Sequence, residues 1–188
     1  MKMEEDDFSI GTSSIMAEYI SYKIQKAGYN WQVSPTRNCP ENKVINTVKK
    51  LCGEFEKRYE KQFSEMCLAC AEVDLNSNNY MGVLDQLIVD GLHWGRVVAI
   101  FSFAGAMSVY CMENGKTERV DWIREWTCQF LDNKVENWIN ENNGWKGIVD
   151  FYTNGAQKPE ERGNGWGSVI IGGALGAFAI GALIINKA

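Results

Sequence analysis

The sequence predicts an all-α fold: about eight helices packed around one buried, hydrophobic central helix, followed by a separate apolar helix near the C-terminus. Three observations lead there. Between Val97 and Met112 the chain carries no charged residue and no polar stripe at a spacing of 3.6, so a helix here is apolar on every side. Such a helix is enclosed either by other helices or by lipid. Sixteen residues is short for a span, and the segment opens after Gly95-Arg96 and closes at Glu113-Asn114-Gly115. Both points favour a core helix ringed by others, with Arg96 at its rim. The flanking segments are amphipathic, with apolar residues at three- and four-residue steps. Nothing alternates as a strand would, and no internal repeat is visible.

In chain order, residues 1–12 form an arm that carries Glu4-Glu5-Asp6-Asp7 and is expected to be solvated. The helical domain covers 13–152. A first helix from Ser13 to Ala27 places Met16, Ile20, Ile24 and Ala27 on one face, and Gly28 supplies a left-handed stop. Gln32 to Asn42, with Pro35 and Pro40, is a loop. A second helix from Lys43 to Phe63 carries Val44, Val48, Leu51, Phe55, Tyr59 and Phe63 on one continuous face. A short helix from Glu65 to Val73 follows, then a break at Asn76-Ser77-Asn78-Asn79. A fourth helix with Val83, Leu84, Leu87 and Ile88 runs to Asp90 and ends at Gly91. After the central helix, Asn114-Gly115-Lys116 turns the chain into an amphipathic helix from Glu118 to Asp132, and two shorter helices complete the domain.

Residues 153–167, rich in Gly, Asn and charge, read as a linker to 168–188, a C-terminal membrane anchor. From Val169 to Ile185 the chain holds seventeen uncharged residues, among them Val169, Ile170, Ile171, Leu175, Phe178, Ile180, Leu183, Ile184 and Ile185. As a helix they reach roughly 26 Å, just under the ~30 Å hydrocarbon thickness. Trp166 and Lys187 flank them as interfacial anchors should.

At 188 residues the chain suits one domain with a sizeable core. Its net charge of −5 offers no basic face, so nucleic acid is excluded as a partner. The six cysteines lie mostly within apolar helical patterns, and with no signal peptide or N-glycosylation sequon a reducing, cytosol-facing environment fits. Gly115-Lys116-Thr117 lacks the earlier glycine and the strand of a phosphate-binding loop. Cys67-Leu68-Ala69-Cys70 has no second pair, and His93 is the single histidine. No catalytic group is assembled, no metal or cofactor site is expected, and the chain reads as a non-enzyme.

Leu92-His93-Trp94-Gly95-Arg96 and the apolar run after it resemble the first homology motif of the Bcl-2 family of apoptosis regulators, where Trp-Gly-Arg opens the central hairpin. Trp138-Ile139-Asn140-Glu141-Asn142-Asn143-Gly144-Trp145 with Phe151-Tyr152 resembles the second motif. The stretch from Val48 to Phe63 is similar to the third, and that from Ala17 to Trp31 to the fourth. All four occur in the family's order.

The resemblance implies a groove between the second to fifth helices that receives an amphipathic helix, the BH3 motif of pro-apoptotic relatives of the Bak/Bax-like and BH3-only kinds. Phe55, Tyr59, Phe63, Met66, Val83, Leu87, Val98, Ala99, Phe103 and Tyr152 would form its apolar wall. Arg96 would fork onto the ligand's aspartate, and Gly95 would let the partner backbone approach. Two departures stand out. His93 occupies a position where the family usually carries asparagine as a helix cap; histidine caps less well and changes charge near neutral pH. Cys52-Gly53 stands where the family usually shows glycine then aspartate, which argues against a pore-forming effector. The expected function is therefore anti-apoptotic sequestration of BH3 helices at the mitochondrial outer membrane, or the endoplasmic reticulum, with the domain facing the cytosol. The alternative is a Bak/Bax-like effector that itself makes pores.

Overall fold

The structure, a computed structural model, describes residues 10–31, 42–72 and 75–156, with backbone alone at 62, 63, 66, 67, 69–72, 155 and 156. The acidic arm, most of the Pro-containing loop, most of the linker and the expected anchor lie outside these residues. Among the described residues there are seven α-helices: α1 Thr12–Lys26, α2 Lys43–Glu72, α3 Ser77–Leu87, α4 Trp94–Glu113, α5 Arg119–Phe130, α6 Glu136–Glu141 and α7 Lys146–Ala156. One π-helical turn, Leu131–Val135, joins α5 to α6.

The apolar segment becomes α4, and fifteen of its residues, from Trp94 to Cys111, are buried. Its hydropathy and length would let it cross a membrane, yet 78% of its most apolar window is buried inside the protein, so α4 is the core helix. Helices α1, α2 and α5 pack against it, and α3 rests on α5 and α4. On α1 the buried stripe is Ile15, Met16, Tyr19, Ile20 and Ile24. Ala27, expected on that face, is instead the exposed C-cap. Gly28 takes φ +87°, and the Tyr29 N–H reaches back to the Ile24 carbonyl at 3.1 Å, closing the helix as a glycine stop does.

Several boundaries differ from expectation, and α7 runs to Ala156, past the expected domain end at 152. The second helix does not end at Phe63: α2 continues to Glu72 and bends at Tyr59, whose φ of −119° and ψ of 24° leave the helical region. Neither Pro nor Gly marks the bend. It leaves the Tyr59 ring buried, 4.8 Å from that of Phe55. Beyond it Glu60, Lys61, Ser64, Glu65 and Leu68 are exposed. The Asn-rich break is the start of α3, because the Asn76 side chain accepts the Asn79 N–H at 3.0 Å and caps the helix. Counting α2 as two segments across its bend gives the expected eight.

Buried polar contacts fix how the helices meet. Tyr80 on α3 stacks on Phe103 and shares a 2.8 Å hydrogen bond with Thr127 on α5, whose hydroxyl donates to the Ile123 carbonyl. The Tyr19 hydroxyl on α1 donates to Glu56 on α2 at 2.8 Å, and Lys23 pairs with the same carboxylate. Burial, then the neighbouring Cys52 and Glu56, hold the Tyr19 phenol well above its ordinary range, so it remains a donor. An aromatic chain runs from Tyr19 through Phe101 to Trp145 and on to Trp94 and Trp138. It pins the first turn of α4 to the corner between α6 and α7.

Two glycines mark the closest approaches. A Cβ on Gly105 would lie 2.9 Å from Tyr19 Cε1 and 3.0 Å from Lys23 Cγ, where α1 crosses α4. A Cβ on Gly147 would lie 2.0 Å from the Asn142 carbonyl oxygen and 2.6 Å from Trp94. Side chains can shift a few tenths of an ångström, whereas the Asn142 backbone is fixed by the α6 terminus. Gly105→Ala is therefore expected to change stability by about 1 kcal/mol or less, helix propensity offsetting crowding. Gly147→Ala is expected to cost about 3 kcal/mol or more. Urea unfolding of both variants checks the order; equal costs would show that the corner at Asn142 yields as readily as a side chain.

Candidate functional site

The polar residues predicted from the sequence, Arg96 and His93, lie where α3 meets α4. The fourth helix was expected to reach Asp90, but α3 ends at Leu87 and residues 88–90 form a turn. Its bonds are Ile88 N–H to Asp85 O at 3.3 Å and Gly91 N–H to Ile88 O at 3.0 Å. Gly91 at φ +108° then reverses the chain, a conformation that only glycine takes without strain. His93 is the N-cap of α4: its carbonyl accepts from Arg96 N–H at 2.9 Å, and its side chain makes no capping bond. The capping role goes unfilled, as expected for histidine in place of asparagine.

Arg96 occupies the first turn of α4, where a long side chain leans back toward the helix N-terminus. That direction carries the guanidinium under the turn. Nη1 donates to the Leu87 carbonyl, Nη2 to Asp90 Oδ2 at 3.2 Å, and Nε to His93 Nε2 at 3.3 Å. The Arg96 side chain is only 3% exposed, whereas that of Asp90 is 62% exposed. The arginine thus lies beneath the corner and not at an open rim. The early end of α3 is the cause, since a helix continued to Asp90 could not fold its last residues back over α4.

Because His93 Nε2 accepts from Arg96, the imidazole is neutral and carries its proton on Nδ1. That atom is buried and meets no acceptor among the described residues. Burial, and then the Arg96 charge, lower the His93 pKa below its ordinary value.

The residues expected in the apolar wall are not on an open surface. Phe55, Tyr59, Val83, Leu87, Val98, Ala99 and Phe103 are all buried in the hydrophobic core, and even Tyr59 is only 4% exposed. Gly95 is buried with them. Tyr152 is half-buried at the edge, with the Lys50 ammonium 5.8 Å from its ring centre. Phe63 and Met66 lie on the outer half of α2, and their side chains are outside the described residues. Sequence reading missed Asp90, the Leu87 carbonyl and Lys50. For Asp90 a signal existed: Asp-Gly is a turn dipeptide, and it could have shortened α3.

Other chemistry finds no support here. Burial pushes the Cys52 thiol up to about 12, and those of Cys111 and Cys128 up to about 11, away from reactive thiolates. Among the described residues no three His, Cys, Asp or Glu side chains converge as a metal site. A cavity of about 600 Å³, lined by residues such as Lys23, Glu60, Ala106 and Tyr110, sits toward the far end of α4 from Arg96.

Residues 48–145 match the family model of apoptosis regulator proteins of the Bcl-2 family. The chain is 31% identical over 169 residues to Bcl-2-like protein 1 of Sus scrofa, covering 85% of this chain and 70% of that protein. It is 32% identical to Bcl-2-like protein 1 of Gallus gallus, covering 95% of this chain and 100% of the relative. To apoptosis regulator R11 of Xenopus laevis it is 30% identical, over 77% of this chain and 72% of that protein. With all-helical packing around α4 and an arginine at its N-terminal turn, these matches place the chain in the Bcl-2 family of apoptosis regulators.

Proposed function

We propose that this chain is a pro-survival member that captures the amphipathic BH3 helices of pro-apoptotic relatives, both Bak/Bax-like and BH3-only. Capture keeps those relatives from permeabilising the outer mitochondrial membrane. The observation that carries this reading is Arg96: a permanently charged fork held at the N-terminus of the apolar central helix and bonded to the carbonyl of the buried Leu87. A helix bearing apolar residues at i, i+3 or i+4, and i+7 with one aspartate matches that pairing of apolar wall and cation. These residues are buried, so binding requires the covering helices to part, and that movement is assigned to α2 beyond Tyr59. The bend at Tyr59 and the exposed residues after it make this half of α2 the element with least to lose.

The third motif supports the pro-survival side. Cys52 is buried with its thiol 3.7 Å from the Val98 carbonyl, while Gly53 is exposed. The exposed position where an aspartate could engage another protein's arginine therefore carries no side chain. The test uses dye-loaded liposomes with a Bak/Bax-type effector and an activator peptide. The purified domain is expected to suppress release, and Arg96→Ala, folded by circular dichroism, to bind a BH3 peptide about 2 to 5 kcal/mol more weakly and to lose suppression. Release caused by the domain itself would make it an effector instead.

Membrane attachment is assigned to the apolar segment from Val169 to Ile185. Deleting 169–188 is expected to leave a helical, peptide-binding domain that no longer stays with membranes after alkaline extraction. Retention of the truncated chain would move the anchor elsewhere.

His93 links binding to pH. In the free protein its pKa is lowered, so it takes up a proton only below the ordinary value of ~6.5. A ligand carboxylate beside it favours the charged form and raises that pKa. Affinity is then expected to rise as pH falls from the bound-state pKa toward the free-state one, and to stay flat above both. The comparison is wild type against His93→Asn between about pH 5.5 and 8. Identical pH profiles would show that the imidazole senses no ligand charge.

A further inference from the structure

We propose that Asp90 is an internal stand-in for the ligand's carboxylate, and that a partner helix binds by carboxylate exchange, taking Asp90's place on Arg96. This rests on the groove reading above and adds to it a residue that sets how tightly, and for which ligands, the groove opens.

The geometry is asymmetric in a telling way. Two of the three polar arms of Arg96 are committed inward: Nη1 to the Leu87 carbonyl and Nε to His93 Nε2. The third, Nη2, holds Asp90 Oδ2 at 3.2 Å, and Asp90 is 62% exposed where Arg96 is 3% exposed. Asp90 therefore covers the guanidinium from the solvent side, the side from which any carboxylate on another molecule must come. No other acidic side chain among the described residues contacts Arg96, and the nearby Asp85 is paired with Lys134 on the π-helical turn. The carboxylate itself belongs to a three-residue turn and not to a helix, so it can leave its seat without unwinding α3.

The exchange conserves charge pairing: one carboxylate leaves Arg96 as another arrives. A ligand then gains only the difference between its own carboxylate and a tethered one already at high effective concentration. Asp90 also supplies a filter. A helix that lacks the aspartate gains nothing at Arg96, because expelling Asp90 would leave the buried guanidinium without a carboxylate; Asp90 stays seated against it. Apolar helices of similar shape are thereby denied this contact.

The probe is a fluorescent BH3-type helix peptide with its aspartate, alongside the same peptide with that aspartate changed to asparagine. Binding of both to wild type, Asp90→Asn, Asp90→Glu and Arg96→Ala is measured by polarisation, with circular dichroism as the control for folding. Asp90→Asn keeps the shape and removes the competing charge; it is expected to tighten the aspartate peptide roughly three- to ten-fold and the asparagine peptide less. Asp90→Glu keeps the charge and is expected to bind as wild type does. Unchanged or weaker binding of the aspartate peptide by Asp90→Asn, or equal tightening of both peptides, overturns the exchange. If that happens while Arg96→Ala still loses the peptide, the groove reading stands and only the exchange falls. If wild type binds neither peptide, or Arg96→Ala binds like wild type, both fall together.

Discussion

A helix without a polar face cannot meet water, and most of the architecture follows from enclosing α4. Its surface from Trp94 to Cys111 is covered by α1, α2 and α5, with α3 closing part of the remaining side. Each covering helix needs only one apolar stripe, which is why all of them are amphipathic while α4 is not. The same constraint fixes where charge can appear. Along α4 charge is admissible only at the ends, and Arg96 stands in the first turn, where its guanidinium escapes the apolar interior only by leaning back under the 88–90 turn.

Apolar enclosure alone would leave the helices free to slide, so the polar contacts matter out of proportion to their number. The Tyr80 to Thr127 bond holds α3 on α5, and the Tyr19, Lys23 and Glu56 group holds α1 on α2. A single buried hydrogen bond contributes roughly 1 kcal/mol net, but a register that left one unmade would cost more than it gained. With Tyr80 bonded to Thr127 and Asp85 paired with Lys134, α3 is tied at two points to α5 and the π-helical turn that follows it.

Much of this was legible in the sequence because the strongest signals were periodic. An uncharged run of sixteen residues and the three- and four-residue stripes of Val44 to Tyr59 leave few alternatives to a bundle with a buried centre. What the sequence hid was local. The bend at Tyr59 carries no proline or glycine, so periodicity passes straight through it. The end of α3 was obscured because Ile88 continues the apolar pattern past the point where the Asp90-Gly91 turn stops the helix. Candidate site residues could be named by type and motif, but not their burial: Val98, Ala99 and Phe103 would be named the same whether exposed or enclosed. Burial depends on tertiary packing that no spacing in the chain encodes. The pairing of Arg96 with Asp90 escaped for a related reason, since a separation of six residues belongs to no helical period.

The buried thiol of Cys52 gives this molecule a gauge of its own breathing. It sits on α2 with no exposed surface, against the backbone of α4, and stays protonated far into the alkaline range. An alkylating reagent finds neither a sulfur to reach nor a thiolate to attack while the two helices are in contact. Reaction therefore proceeds through excursions in which α2 lifts. Where those excursions equilibrate faster than the chemistry, each tenfold slowing relative to a free thiol reports about 1.4 kcal/mol of opening free energy. Followed peptide by peptide in a mass spectrometer, that slowing measures the free energy of parting the first half of α2 from α4 without a single engineered label.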